Sequence, residues 1–495
     1  MPNSLHDFFQ QLGPMYPEFL VIAVALIALV ADLVVPRGQK HLLGWLGLIG
    51  LAAAAALTLS LAADHAGNTQ TAFFNGTFLF DPFSVFFKMV FYLSCSLGIL
   101  LSMKYLSVED IHRGEYYSLM LFATSGMMLM ASAGDLITLY LGLELMALSI
   151  YILAGFMRGD GRSNEAGIKY LLLGAFSSGI MLYGMSLLYG LSGTTNLNGI
   201  MTFLQSADLT NPVIFLAMVM LIVSFGFKVA AVPFHMWVPD VYEGAPTSVT
   251  AFMSAGPKVA GFAVLLRVFV HALAPLQGHV SAILAVIAVL TMAVGNIMAI
   301  SQTNIKRMLA YSSIAHAGYA LVGLAAATAN KAMMVDGSAS VMLYVLIYTV
   351  MNMGAFGVVI MLRKSGSRGE EIADFAGLGK TNKAAAFLML IFMFSLTGIP
   401  PLAGFMGKFY IFKSAVQAGM IWLAILGVLF SAISAYFYLR VIMVMWMYDP
   451  KQEFSLLRSP ALALALAIAV TAVIVIGVAP SSVLEIARAS VLGLM

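Results

Sequence analysis

Charge is what this sequence has least of. Only 9% of its 495 residues are Asp, Glu, Lys or Arg, whereas 61% are hydrophobic. A water-soluble domain carries about 25% charged residues. A chain with so few could not cover its surface in water, so lipid must be the solvent for most of it. Cysteine is also nearly absent. Cys95 alone excludes an intrachain disulfide, and it excludes any four-cysteine zinc or iron–sulfur site built from this chain by itself. A net charge of +3, with no single basic patch, does not suggest a nucleic-acid partner. The first eighteen residues lack a basic leader and a small-residue cleavage site. The first helix is therefore expected to stay in the mature chain.

Long apolar runs are what the chain does have. A spanning helix needs about 20 mostly apolar residues. Fourteen such runs lie near 17–36, 42–62, 80–103, 116–133, 135–157, 166–190, 212–232, 247–273, 279–300, 306–327, 338–362, 384–416, 420–447 and 460–480. If they alternate in direction, fifteen basic residues fall on one side of the membrane: Arg37, Lys40, Lys104, Arg113, Arg158, Arg162, Lys306, Arg307, Arg363, Lys364, Arg368, Lys380, Lys383, Lys451 and Arg458. Only Lys331, Lys413 and Arg488 fall on the other. The positive-inside rule then places both termini outside, in the periplasm of a bacterium. Miscounting by one helix would scramble this asymmetry.

Two runs contain helix breakers. The seventh reads Phe-Gly-Phe-Lys228-Val-Ala-Ala-Val-Pro233-Phe-His235, and the twelfth reads Gly-Ile-Pro400-Pro401-Leu-Ala-Gly-Phe-Met-Gly-Lys408. Proline removes a backbone donor and frees a carbonyl, which within a bilayer must be satisfied by protein or water. Lysine precedes proline in one run and follows it in the other. Mirrored breaks of this kind point to inverted repeats around a transport site. The expected architecture is all-α integral membrane, with about 14 transmembrane helices, two inverted five-helix repeats and broken helices 7 and 12. The divisions are helices 1–3 (residues 1–110), a first repeat of helices 4–8 (111–275), an inverted repeat of helices 9–13 (276–450) and helix 14 (451–495). The bland alternative is a pair of ordinary proline kinks.

The ionisable residues inside spans are the candidates for chemistry. Glu144 lies near the middle of the fifth span, Lys228 in the seventh, Lys258 in the eighth and Lys408 in the twelfth. Burial disfavours the charged form of a lysine, and a nearby carboxylate favours it. A lysine balanced between the two effects can gain and lose a proton, which is what a proton relay needs. The alternative is that these charges only pair helices. His235 and His316 could shuttle protons between the lysines, or be hydrogen-bonded core residues. Lys169 could lie at the start of a path or snorkel to the interface. Arg267 and Arg440 read as anchors near helix ends. Residues Gly377-Leu-Gly379-Lys380-Thr381 mimic part of a phosphate-binding loop, but Asp374 occupies the first glycine position and no strand precedes it.

The segment Phe-Lys228-Val-Ala-Ala-Val-Pro233-Phe-His235-Met-Trp237-Val-Pro239-Asp240-Val-Tyr-Glu243-Gly-Ala-Pro246-Thr resembles a signature of the antiporter-like subunits of respiratory complex I and of multisubunit cation/proton antiporters. The resemblance extends over the full chain. Among the three such subunits of bacterial complex I, it is nearest the one with lysine at position 408, Pro257-Lys258 in the eighth span and no long lateral helix at the end. That resemblance implies a paired switch of Glu144 and Lys228, a central relay at Lys258, an exit-side donor at Lys408 and an uptake-side Lys169. It implies no cofactor in this chain. NADH, flavin, the iron–sulfur clusters and the quinone reaction would belong to partner subunits. The partners implied are other membrane subunits of the complex, both antiporter-like and small, in the inner (plasma) membrane of a prokaryote. A subunit of a sodium/proton antiporter and a structural spacer of the membrane arm are the alternatives.

Overall fold

The protein is described here by a computed structural model covering residues 11–65, 71–111, 113–362, 369–450 and 456–494. Arg363, Lys364, Arg368 and Lys451, counted above toward the basic side, lie outside the described residues.

The chain is almost wholly helical. The N-terminal part holds α1 (Tyr16–Asp32), α2 (His41–Asp64) and α3 (Pro82–Val108). Next come α4 (Glu115–Ala131), α5 (Leu136–Ala154), α6 (Gly161–Ser192), a short α7 (Leu197–Ser206), α8 (Pro212–Val229), α9 (Trp237–Gly244) and α10 (Thr247–Leu265), which runs on as a π-helix over Leu266–Ala272. The second half holds α11 (Gln277–Ile300), α12 (Ile305–Ala327), α13 (Met334–Met361), a single turn α14 (Leu378–Thr381), α15 (Lys383–Thr397), α16 (Ala403–Gln417) and α17 (Ile421–Met447). The chain closes with α18 (Pro460–Val478) and α19 (Ser481–Leu492).

Twelve helical segments among the described residues are long and apolar enough to cross a membrane. α4, at 17 residues, and the broken pair α15–α16 account for the other two of the fourteen expected passages. Helix starts follow local chemistry. Asp81, Asp135, Asp160, Asn196, Asn211, Asn304 and Asn382 each cap the first turn of a helix with the side chain. The fourth and fifth runs meet at Gly134, where a Cβ would lie 2.1 Å from the Gly76 carbonyl, so only glycine fits.

One departure from an all-helical reading is a small antiparallel hairpin, β1 (Thr71–Phe73) with β2 (Phe78–Phe80). Its turn uses Asn75 and Gly76 at positive φ, residues that adopt that region at little cost. The hairpin is short, and apolar runs alone do not reveal it.

Burial sorts the helices into a centre and a rim. The spans carried by α10 and α12 are wholly buried and α13 is nearly so, whereas α2 and α17 are largely exposed along their length. Exposed large apolar residues such as Phe176, Ile168, Leu429 and Val475 cover the rim. In water they would be a liability, but against lipid tails they are the expected surface. Packing follows the same order in the two halves: α4 lies on α5 and α11 on α12, α5 contacts α6 and α12 contacts α13.

Candidate functional site

Both breaks are built alike. α8 ends on Ala230 (φ 65°) and α15 ends on Gly398 (φ 92°), each in the left-handed region. The Ala231 N–H donates to the Gly226 carbonyl (2.8 Å) and the Ile399 N–H to the Phe394 carbonyl (3.0 Å). This is the six-residue closure that commonly stops a helix. Groups freed by each break are then recaptured from elsewhere. At the first break, Trp237 Nε1 donates to the Phe227 carbonyl (3.2 Å), and the Val232 N–H donates to Thr291 Oγ1 on α11 (3.0 Å). At the second, Lys408 Nζ donates to the carbonyls of Leu396 (3.0 Å) and Thr397 (2.8 Å) and to Ser431 Oγ on α17 (2.9 Å). A cation at a helix C-terminus is electrostatically favoured. Gly398 meets two demands, since a Cβ there would also lie 3.0 Å from Cδ of Lys408.

Lys228 sits in the last turn of α8, only 4% exposed. Its Nζ donates to the Tyr151 hydroxyl at 3.3 Å and lies 5.8 Å from the centre of that ring. Glu144 is half-buried on α5 and accepts a hydrogen bond from Ser178 on α6. Glu144 and Lys228 do not form an ion pair within 4 Å; Tyr151, about two turns beyond Glu144 on α5, is the neighbour Lys228 engages. Lys258, on α10 one residue after Pro257, is 3% exposed and donates to the Ser313 carbonyl (2.9 Å) and to its hydroxyl. His316, three residues further along α12, is bracketed by two tyrosines: Nδ1 lies 2.6 Å from the Tyr344 hydroxyl and Nε2 lies 3.1 Å from that of Tyr438. Lys258, His316 and Lys408 therefore all converge on the buried centre formed with α12 and α13.

Two sequence candidates lie apart from that centre. Lys169 has a side chain 40% exposed and pairs with Glu165 (2.6 Å) and Asp240 (2.8 Å). Asp240 and Glu243, from the signature segment, each also bind Arg307 at 2.9 Å. Part of the signature thus holds α9 against α6 and α12 at the basic side. His235 sits in the turn between α8 and α9, half-buried.

Buried ion pairs, among them the following two, escaped sequence reasoning as pairs. Lys88 and Glu18 lie 2.7 Å apart, both fully buried, with Lys88 also over the rings of Phe78 and Phe80. Arg267, on the π-helix, makes a two-pronged contact with Asp81 (2.9 and 3.0 Å) and donates to the Ala131 carbonyl (2.8 Å). Arg440 donates to the carbonyls of Ile300 and Gln302. Both arginines act as anchors. The charges were visible in the sequence, but their partners lie 70 to 186 positions away. No group of three or more His, Cys, Asp or Glu able to hold a metal ion occurs among the described residues.

The profile of the family described as NADH:quinone oxidoreductase/Mrp antiporter, TM, matches residues 133–434, which contain both breaks and all of the buried lysines of the centre. The chain is 48% identical to NADH-quinone oxidoreductase subunit N of Trichlorobacter lovleyi, with 99% of each chain covered. It is 49% identical to subunit N 2 of Rhizobium meliloti over 96% of this chain and 97% of that one. It superposes on a chain of respiratory complex I from Thermus thermophilus with bound aureothin at a TM-score of 0.78 and 31% identity, covering 95% of this chain and 98% of that one. A chain of the Mrp complex from Dietzia sp. shares the fold at a TM-score of 0.82 and 19% identity, over 98% and 97% of the two chains. The chain is a multi-pass membrane protein, and it belongs to the antiporter-like family of membrane subunits represented by NADH-quinone oxidoreductase subunit N.

Proposed function

We propose that this chain is the proton-translocating membrane-arm subunit of an NADH-quinone oxidoreductase, driven by NADH oxidation and quinone reduction in partner subunits. The observation that carries the reading is a set of buried ammonium groups held on neutral acceptors. Lys258 is held by Ser313 and Lys408 by two helix-end carbonyls and Ser431. Such groups have hydrogen bonds in either protonation state, because a neutral amine can still donate to a carbonyl. They lack the adjacent carboxylate that would lock the charge in place.

Glu144 and Lys228 are the switch. With Glu144 on Ser178 and Lys228 on Tyr151, the pair stands apart. Bringing the two together favours the ammonium, and separating them favours release of its proton toward Lys258. From Lys258 the proton passes by His316 to Lys408, and then to the outer side, with both termini periplasmic. Lys169 and His235 serve the uptake side. Residues 111–275 and 276–450 are the two inverted repeats, a division supported by the matched helix endings at Ala230 and Gly398. Flavin and iron–sulfur clusters reside in partner subunits, so this chain supplies the path alone.

The test replaces Glu144 or Lys228 with alanine in the assembled complex and measures proton uptake against NADH oxidation in membrane vesicles. Pumping is expected to collapse while NADH oxidation by an artificial acceptor persists. Normal pumping by an assembled variant would sink the assignment.

A further inference from the structure

The stretch between Lys258 and Lys408 is not empty of chemistry. His316 has a hydroxyl on each ring nitrogen, Tyr344 at 2.6 Å on Nδ1 and Tyr438 at 3.1 Å on Nε2. The Tyr438 hydroxyl also lies 2.5 Å from Ser312 Oγ. All four residues are fully buried or nearly so, and they come from three helices, α12, α13 and α17. Ser312 adjoins Ser313, whose carbonyl and hydroxyl hold Lys258. On the far side, Tyr344 packs on the helix that carries Lys408, since a Cβ on Gly407 would lie 2.8 Å from Cδ2 of Tyr344. Lys408 Nζ sits 4.9 Å from the ring centre of Tyr319, which meets His316 edge-on at 5.7 Å.

We infer that Tyr438 and Tyr344 make His316 a two-port proton conduit, with Tyr438 as the port facing Lys258 and Tyr344 as the port facing Lys408. The inference rests on the proton-path reading above. A neutral imidazole carries one N–H and one bare nitrogen. In the resting arrangement the bare Nε2 accepts from the Tyr438 O–H, and the Nδ1–H donates to the Tyr344 oxygen. Transfer proceeds by concerted shifts. A proton from the Lys258 ammonium, delivered through serine hydroxyls and water, forms a new O–H on Tyr438 as the old one breaks. The released proton bonds to Nε2. The Nδ1–H bond breaks and its proton goes to the Tyr344 oxygen, whose former proton leaves through water to the Lys408 amine. One proton enters and one leaves, the ring ends neutral in the other tautomer, and reorientation of the ring and of the two hydroxyls between transfers resets it, since reversing the tautomer through the same two ports would carry the proton back. A ring with a partner on one nitrogen alone would have to turn over during the transfer itself and not only between transfers.

Tyr438 and Tyr344 carry the proton in this scheme and Ser312 positions Tyr438, and each can lose only its hydroxyl. In vesicles containing the assembled complex, Tyr438→Phe and Tyr344→Phe should each lower the initial pumping rate about a hundredfold, the lower end of the range for removing one proton-transfer partner. Native-gel assembly and NADH oxidation by an artificial acceptor should stay at the parental level, and the pH profile of pumping should shift. Ser312→Ala should give a smaller loss, because Tyr438 still reaches Nε2. Unchanged pumping and an unchanged pH profile in both Phe variants, with Lys408→Ala defective, would overturn the conduit. Loss of assembly in the Phe variants would overturn it too, by showing that the hydroxyls hold the fold. Normal pumping by Lys408→Ala would instead remove the proton-path reading itself.

Discussion

Two regions of this protein hold buried cations with opposite local chemistry. Near the N-terminal end of α3 and the C-terminal end of α10, each has a carboxylate within 3 Å: Lys88 has Glu18, and Arg267 has Asp81. In the centre around α12, Lys258 and Lys408 have hydroxyls and carbonyls, and no carboxylate among the described residues lies within ion-pair distance. A charge in low dielectric must be compensated or be able to disappear. Each of the first two cations has its counter-charge beside it within the protein. The central lysines can exist as neutral amines without leaving a counter-charge behind. On the proposed reading, the difference separates fixing helices from moving protons, and it does so with the same residue type, lysine.

Breaking one carboxylate-paired cation should have the largest effect. Arg267→Met leaves Asp81 ionised and buried, at a cost of about 3–5 kcal/mol. The chain is expected to disappear from the assembled complex on native gels. Lys258→Met should assemble and fail only in pumping. If both variants assemble equally well, the contrast between the regions fails.

A medium effect is expected when both members of a pair are removed together. Replacing a buried ion pair by apolar residues of similar volume is often neutral or stabilising. Glu18→Met with Lys88→Met should therefore restore the thermal stability that either single replacement loses, and should leave pumping intact. A double variant that assembles but does not pump would move this pair into the proton path.

The smallest effect is expected at the surface. Lys380 and Asp449 lie 2.6 Å apart, with side chains 51% and 90% exposed. The Lys380 ammonium, through its hydrogen bond and its charge, holds the Asp449 carboxyl below its ordinary value of 3.8. A carboxyl lowered on folding contributes stability above its unfolded value and loses it as pH falls through the folded one. Between pH 5 and 8 its contribution is thus constant, and solvent screens it. Lys380→Ala should leave the melting temperature unchanged across that window.

Composition and periodicity were enough for much of this protein. The scarcity of charge required lipid, apolar runs located the helices, and Gly398 with Pro400 and Pro401 marked a break within its run. Glu144, Lys228, Lys258 and Lys408 were legible because an ionisable residue far from both ends of an apolar run stands out. These features are local, and local sterics and solvation act on a few residues at a time. The partners of those charges were not legible. That Lys228 meets Tyr151 rather than Glu144, that Lys88 is neutralised by Glu18, and that His316 is held between Tyr344 and Tyr438 depend on helices distant in the chain. Serines and tyrosines are common in membrane helices, and nothing in their spacing says which faces inward. Tertiary packing decides that, because in a medium without water each buried polar group must find its partner within the protein.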